Sequence, residues 1–271
     1  MKRILLFLTV IFLSTAAIAQ NLALDGQDAY SALFRQSVKS CDEFMCRFNG
    51  EEYFPELDIQ DPQIDLKNLM LLFDYQLAER KGKEKFLTEI TAFHSAIQTS
   101  NVKLKYDNRN WYAELRTMFI YKKKPVELGI VFQTEKTPKG LSCWTIVGVN
   151  GLEMIGYKDS TSRMVVSPEQ HEADFMEIDG DFKYSAKCLS QFRSYKTKMN
   201  ALSYFFALVE TGTLIFESRV STVFHFYDVP SYVFSIKYHD RKKSNTGWLI
   251  YDYMNIDTKG KASKLNKLLG K

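Results

Sequence analysis

The hydrophobic residues of this chain pass through the same order of patterns twice, a helical spacing followed by a strand-like alternation. Apolar residues at steps of three and four indicate one face of a helix, and alternation indicates a strand with one buried face. Helices that precede a run of strands favour a layer of helices packed on an antiparallel sheet. The pattern therefore predicts an α+β fold made of two similar halves.

The predicted elements can be read directly from the sequence. The helical stretches of the first half are Phe34–Phe48, Leu66–Leu77 and Phe86–Ile97, and its strands are Val102–Asp107, Trp111–Tyr121, Val126–Thr134 and Leu141–Asn150. Gly, Asp and Ser gather in residues 151–166, the expected junction, and Ser167-Pro168 with Gln170 forms a helix start. The second half has helical stretches at Glu172–Ile178, Tyr184–Tyr195 and Asn200–Glu210, and strands at Thr213–Ser218, Val220–Tyr227, Tyr232–His239 and Trp248–Asn255.

Four landmark residues recur in the two halves in the same order. Phe93, Pro125, Trp144 and Asn150 correspond to Phe205, Pro230, Trp248 and Asn255, at offsets of 112, 105, 104 and 105 residues. Identity between the halves is low, so the landmarks indicate a duplicated pattern. We interpret the chain as an internal repeat.

Residues 1–19 have the features of a secretory signal peptide. Lys2 and Arg3 precede the apolar run Ile4–Leu13, and Ala17-Ile18-Ala19 provides a small-residue cleavage site. Its removal leaves 252 residues and lowers the formal charge from +4 to +2, because two basic groups and no acidic ones are lost. No later apolar run approaches the roughly 18 residues of a membrane helix. We expect export across the inner membrane, to the periplasm or outside the cell, without stable membrane insertion.

Composition excludes disordered, collagen-like and disulfide-packed small proteins. The chain is 45% hydrophobic and 25% charged, which is typical of a folded protein, and its small net charge does not favour nucleic-acid binding. Export permits disulfides, but Cys41 and Cys46 lie about 140° apart on the predicted first helix and are not expected to pair. Cys41 is expected to be a buried free thiol, and the pairing of Cys46, Cys143 and Cys188 stays open.

The order of elements resembles the NTF2-like superfamily, also called cystatin-like or SnoaL-like. The strand runs 102–150 and 213–255 each look like the sheet of such a cone. The segments 47–52 (RFNGEE) and 167–176 (SPEQHEADFM) look like segments of exported bacterial proteins of unassigned function. The resemblance implies two tandem domains, 20–157 and 158–271, the second with a basic C-terminal tail. It implies a fold more than an activity, since this superfamily includes isomerases, dehydratases and non-catalytic binding modules.

The sequence contains no complete catalytic or metal-binding motif. Phosphate-loop and nucleophile-elbow patterns are missing, and His171-Glu172 lacks the second histidine of a zinc-protease helix. We therefore expect no metal and no cofactor. His94 fits the edge of a core and His239 a solvated charged turn.

His225 is the one candidate for catalysis. If Val229-Pro230 is a two-residue turn, His225 lies opposite Phe234 and shares a sheet face with tyrosines. A lone imidazole on such a face can act as a general base. The candidate pocket residues are Tyr227, Tyr232, Phe234 and Tyr238, although a shift of one residue would move His225 to the other face.

Two functions follow from these observations. The sequence favours an exported, non-enzymatic binding or scaffolding protein, for which an exposed apolar or aromatic patch, or a domain interface repeated in a dimer, is expected. The alternative is an enzyme of the isomerase or dehydratase type that acts on a small molecule with His225 as general base. The partner classes left open are a small molecule, an envelope protein and a second copy of the chain. The leucines of the basic tail, Leu265, Leu268 and Leu269, predict a short terminal helix that contacts the domain or an anionic surface.

Overall fold

The computed structural model describes residues 36–157, 200–241 and 244–271. The helices of these residues are α1 (Cys41–Phe48), α2 (Ile64–Leu71), α3 (Tyr75–Lys81), α4 (Lys83–Ser100), α5 (Ala201–Glu210) and α6 (Thr258–Leu268). The strands are β1 (Trp111–Tyr121), β2 (Lys124–Lys136), β3 (Ser142–Asn150), β4 (Leu214–Phe226), β5 (Tyr232–His239) and β6 (Gly247–Asn255). A single 3-10 turn, Leu152–Ile155, follows β3. The predicted α+β class is confirmed.

The six strands form one curved antiparallel sheet in the order β3-β2-β1-β4-β5-β6. Two separate sheets were expected, one from each half. Instead, β1 and β4 pair along nearly their whole length, from Trp111 opposite Phe226 to Tyr121 opposite Leu214. Each half therefore contributes a three-stranded meander whose first strand is central and whose third strand lies at an edge.

The register defines two faces of the sheet. Trp111, Leu115 and Phe119 of β1 point to one side, which we call the helix face because α1–α5 pack on it. Glu114 and Arg116 point to the other side, which we call the tail face. The C-terminal helix α6 crosses the tail face, which agrees with the prediction of a terminal helix that contacts the domain.

Four of the six described helices begin where a side chain satisfies a free N–H group, whereas α2 has no side-chain cap. Ser40, Asp74, Asn200 and Asp257 each accept a hydrogen bond from a backbone N–H in the first turn of α1, α3, α5 and α6. Helix α4 has no such cap, but its apolar face is buried as predicted, at Phe86, Ile90, Phe93 and Ile97.

The hydrophobic core shows a crossed arrangement of the two halves. Helices α1–α4 of the first half pack on β4–β6 of the second, where Phe93 contacts Tyr232 and Phe234 with ring centroids 5.0 and 5.6 Å apart. Helix α5 of the second half packs on β1–β3 of the first, where Phe205 lies 5.8 Å from Phe119. The helices of each half are therefore buried mainly against the strands of the other half.

Four predicted elements differ from the structure. The stretch Phe34–Phe48 is helical only from Cys41 onward among its described residues, because Val38 forms a parallel β-bridge with Gly247. The expected strand Val102–Asp107 is irregular, because the side chain of Asn49 binds both the N–H and the carbonyl of Leu104. The stretch Leu66–Leu77 is divided between α2 and α3, since Asp74 caps a new helix. The two strands expected within residues 213–227 are one strand, β4, in which bulges absorb the irregular alternation.

The cysteine predictions can be compared with the structure in part. Cys41 is buried and free, as expected, and burial raises its pKa to about 12. Cys46 and Cys143 are also free. Other predictions fall outside the described residues: the signal peptide, Phe34, the helix start at Ser167, the helical stretches Glu172–Ile178 and Tyr184–Tyr195, His171 and Cys188.

Candidate functional site

The tail face holds a buried network built on Glu114, His225 and Ser235. Ser235 of β5 lies directly opposite His225 of β4, and its hydroxyl is 2.8 Å from His225 Nδ1. Glu114 of β1 lies diagonally across from His225, and its Oε2 is 3.2 Å from Nε2. Three adjacent strands thus place a carboxylate, an imidazole and a hydroxyl in one line, with both ring nitrogens engaged.

Asn150 joins this network from the far side of β2. Its Nδ2 donates to Glu114 Oε1 at 2.9 Å. The strand between them contributes Gly129, where a Cβ would lie 2.5 Å from that carboxylate oxygen and would also collide with the Asn150 amide. The missing side chain at Gly129 therefore lets an amide on β3 reach a carboxylate on β1.

Glu114 remains ionised in this setting. Burial by itself raises its pKa, but hydrogen bonds from His225 and Asn150, together with the charges of His225 and Arg116, lower it to about 2. Hydrogen bonds and positive charges stabilise the ionised carboxylate. Here that stabilisation outweighs the cost of removing the carboxylate from water.

Helix α6 crosses the sheet on the side where this network lies. Lys261 donates from Nζ to the carbonyls of Tyr227 and Val229, at 2.9 and 2.5 Å. At the other end, Asn150 Nδ2 also donates to the Leu268 carbonyl at 3.1 Å, and Gly148 leaves space for Leu269. A residue of the network thus also holds the last turn of α6.

The register predicted around His225 was wrong by one residue. The β4–β5 connection is not a two-residue turn but runs from Tyr227 to Ser231, with Tyr232 N–H bound to the Val229 carbonyl and a positive φ at Ser231. His225 therefore faces Ser235, whereas Phe226 faces Phe234. Of the four candidate pocket residues, Tyr232, Phe234 and Tyr238 lie on the helix face, opposite His225.

Tyr227 is the remaining candidate pocket residue. It follows β4 and packs edge-on against Tyr112, the direct β1 neighbour of His225, with ring centroids 5.8 Å apart. Burial raises the pKa of its phenol, with smaller contributions from Tyr112 and Glu114. Tyr227 therefore belongs to the surroundings of the Glu114 network.

The expected solvated turn at His239 is also different in the structure. His239 is half-buried beside Asp74 and Arg241, and burial lowers its pKa. Arg241 binds both carboxylate oxygens of Asp74, at 2.5 and 3.0 Å. This bidentate pair ties the start of α3 to the end of β5 and has a clear structural role.

A second feature lies on the helix face and is centred on Trp111, a buried residue of the core under α1–α4. We call it the aromatic strip: Trp144 of β3, Trp111 of β1, Phe224 of β4, Trp248 of β6 and Tyr238 of β5. Successive ring centroids are 5.1, 5.8, 4.8 and 5.8 Å apart. The strip contains all three tryptophans of the chain.

The aromatic strip is open at both ends. Trp144 is 45% exposed and Tyr238 is 47% exposed, whereas Trp111 in between is buried. Phe224 and Trp248 border the core under α1–α4, and Phe132 and Ile146 border the core under α5. Six strands at the usual spacing give the sheet a width of about 24 Å at the strip.

Sequence reasoning missed Glu114, Ser235, Asn150 and the aromatic strip. Glu114 gave a signal, since it is a charged residue within the otherwise apolar start of β1. Its partners are 36 and 111 residues away, however, and pair patterns within one strand do not reveal them.

The described ranges also bear on metals, membranes and pockets. They hold no group of three or more His, Cys, Asp or Glu side chains placed to bind a metal ion. Within the same ranges, no helix is long and apolar enough to cross a membrane. A shallow depression of about 310 Å³ lies beside α4, lined by residues including Ser95, Thr99 and Tyr232, and so on the face opposite His225.

Comparison of the chain with protein-family models, curated proteins and solved structures gave no match. The functional argument therefore depends on the geometry alone.

Proposed function

We propose that this chain is an exported, non-enzymatic binding protein that holds an apolar or aromatic ligand on the aromatic strip. The observation that carries the proposal is the row of contacting rings that is open at Trp144 and Tyr238. These two side chains are 45% and 47% exposed, and exposed aromatic side chains of this kind mark binding sites. The partner classes are a small molecule or an apolar segment of an envelope protein.

The proposal includes a tandem NTF2-like origin for the two halves. The symmetric strand order supports it, since β1-β2-β3 and β4-β5-β6 are equivalent meanders. The landmark residues support it as well: Trp144 and Trp248 lie in equivalent edge strands, and Phe93 and Phe205 are both buried on helices that precede a meander. In this scheme the first half contributes Trp111 and Trp144 to the strip, and the second half contributes Trp248.

An enzyme that uses His225 is the second candidate, and the line of Glu114, His225 and Ser235 favours it. In the structure, however, Ser235 and His225 are buried, and both imidazole nitrogens already have partners. A general base must reach the proton that it removes. Catalysis at this site would therefore need the neighbouring surface to open, whereas Trp144 and Tyr238 of the strip are already exposed.

A fluorescent probe can test the binding proposal. The probe is 1-anilinonaphthalene-8-sulfonate, an aromatic dye that accepts energy from tryptophan. Because all three tryptophans line the strip, dye bound there should quench their emission as its own emission rises. Replacing Trp144 and Tyr238 together by Ala should weaken binding about tenfold, the usual effect of truncating aromatic anchors.

The matched control is Ile59→Ala, which removes another exposed apolar side chain that is not part of the strip. Far-UV circular dichroism should show that all variants are folded. Equal dye affinity in the double variant and in Ile59→Ala would overturn the proposal.

A further inference from the structure

Within the described residues, strand β4 has an edge without a strand partner along most of its length. Its pairs with β5 run only from Val223 to Phe226, while β1 pairs with it from Leu214 onward. Among the described residues, no backbone partner lies on the β5 side of Leu214–Thr222. A free strand edge offers unpaired N–H and carbonyl groups to another strand.

The exposed part of β4 is also unusually apolar. Ile215, Phe216 and Val220 are 56%, 57% and 50% exposed. Helix α5, which leads directly into β4, adds the exposed side chains of Phe206 and Val209. Five large apolar residues within fifteen positions form a surface of the kind that associates with a partner.

The charges on this edge are complementary to those of a second copy. The sequence of residues 215–221 is IFESRVS, and its centre is Ser218. If two such strands pair antiparallel about Ser218, Glu217 of each copy lies opposite Arg219 of the other. In the same register Phe216 lies opposite Val220. Opposite charges and apolar pairs at facing positions each stabilise a sheet.

We propose that the chain forms a two-fold dimer in which the β4 edges of two copies pair antiparallel about Ser218. Such an interface uses the same edge on both copies, so it closes and leaves no free site for a third. The dimer would join two six-stranded sheets through their β4 strands and cover Ile215, Phe216 and Val220.

The charges also explain why this edge would select its own copy. Glu217 and Arg219 place charges on the edge, and the two bulges of β4 against β1 fall at Glu217 and Val220, inside the segment that pairs. Charges and bulges are common devices against pairing with unrelated strands. Only a strand with the reverse order of charges meets them with opposite signs, and the β4 of a second copy has that order. The same charges thus repel strands with a different order of charges and attract the β4 strand of a second copy.

Charge reversal tests the proposal. Sedimentation velocity of the chain without residues 1–19 should show a reversible monomer–dimer equilibrium. Glu217→Arg places two pairs of like charges across the two-fold axis, and so does Arg219→Glu. Each should weaken dimerisation about tenfold to a hundredfold, and the double variant should return to the affinity of the original chain.

The control is Glu210→Arg, which reverses an exposed charge at the end of α5, outside the paired segment. It should leave the dimer unchanged. A chain that remains monomeric at 0.1 mM (roughly the upper range of weak dimers) overturns the proposal. So does a dimer that tolerates either single reversal, or a double variant that fails to recover.

A crosslink gives an independent measurement. In a background of Cys46→Ser, Cys143→Ser and Cys188→Ser, Ser218→Cys should form a symmetric disulfide dimer in air, because directly opposed strand residues lie within disulfide reach. Ser203→Cys, exposed on α5, is the control and should stay monomeric on non-reducing gels. Equal crosslinking of the two variants would contradict the pairing register.

Discussion

The carboxylate of Glu114 is buried, yet it is held in its ionised form by His225 and Asn150. Its pKa in the folded chain is about 2, below the ordinary value of 4.5. A lowered folded-state pKa stabilises the fold above the ordinary pKa, and that stability is lost as the pH falls toward the folded value. The window of loss therefore lies between about pH 5 and pH 2.

We expect Glu114→Gln to reduce the loss of unfolding free energy in acid. The original chain should lose about 3 kcal/mol of unfolding free energy across that window through this carboxylate. Glutamine keeps an oxygen that can accept hydrogen bonds but does not titrate, so the variant should lose less. Urea unfolding from pH 7 to pH 2.5 measures both, and other carboxylates contribute equally to the two curves. Parallel curves would show that Glu114 is not ionised by this network.

His225 shows the limit of sequence reasoning at the level of single residues. The sequence predicted the strands around His225. The sheet face on which His225 lies, however, depends on whether the turn after β4 has two residues or five. Pro230 followed by Ser231 with φ near 58° makes the turn, closed by the bond from Tyr232 N–H to the Val229 carbonyl. A non-glycine residue with positive φ is uncommon, so the sequence did not suggest this turn.

At the level of elements, β6 depends on a close approach by the chain that precedes α1. Gly247 has φ near 91° and lies directly against Val38, with which it forms a parallel bridge. A Cβ at Gly247 would collide with the Val38 backbone. This contact protects one end of the outer edge of β6, and a second bridge, between Phe73 and Ile250, protects its middle.

Two glycine substitutions distinguish the steric collision of a new Cβ from the strain of a positive φ in a residue other than glycine. Gly156 also has positive φ, near 84°, in the left-handed helical region, but a Cβ there would meet nothing within 4 Å. Gly156→Ala should therefore cost about 1 kcal/mol, the strain of the backbone alone. Gly247→Ala should cost about 3 kcal/mol or more, because it adds displacement of the Val38 segment. Thermal unfolding compares the two variants, and equal losses would exclude the close approach.

The elements that sequence reasoning placed well have strong local patterns. Helix α4 and strands β1, β2, β3, β5 and β6 lie within a few residues of their predicted bounds, because alternation and helical spacing are local signals. The segment Val102–Asp107 failed because Asn49, more than fifty residues earlier, occupies its backbone groups. A contact at such a distance leaves no trace in a local pattern.

For the whole molecule, the sequence indicated two halves but not how they combine. The pairing of β1 with β4 joins them into one sheet, and the helices of each half pack on the strands of the other. The strand pairing and the helix packing both join residues that are far apart in the sequence. The internal repeat was therefore equally compatible with two separate sheets. The aromatic strip also depends on this joint sheet, because its rings come from β1 and β3 of the first half and from β4, β5 and β6 of the second.

The crossed core predicts that neither half folds alone. A fragment of residues 20–157 would keep α1–α4 but lose Phe226, Phe234 and Tyr253, against which their aromatic side chains pack. Burial of those apolar faces supplies most of the stabilising free energy, and without it the helices are too short to persist. In urea, fragments 20–157 and 158–271 should each show no cooperative transition.

The full chain should instead unfold in one step. Phe93→Ala lies in the core under α1–α4 and Phe119→Ala in the core under α5, and each should lower the midpoint of the same transition by the equivalent of about 3–5 kcal/mol. In a chain of two independent domains, each variant would shift only one of two transitions. A cooperative transition in fragment 20–157, or two transitions in the full chain, would show that the halves are separate domains after all. One shared transition would mean that any ligand on the aromatic strip stabilises both halves together, since the strip is built from both.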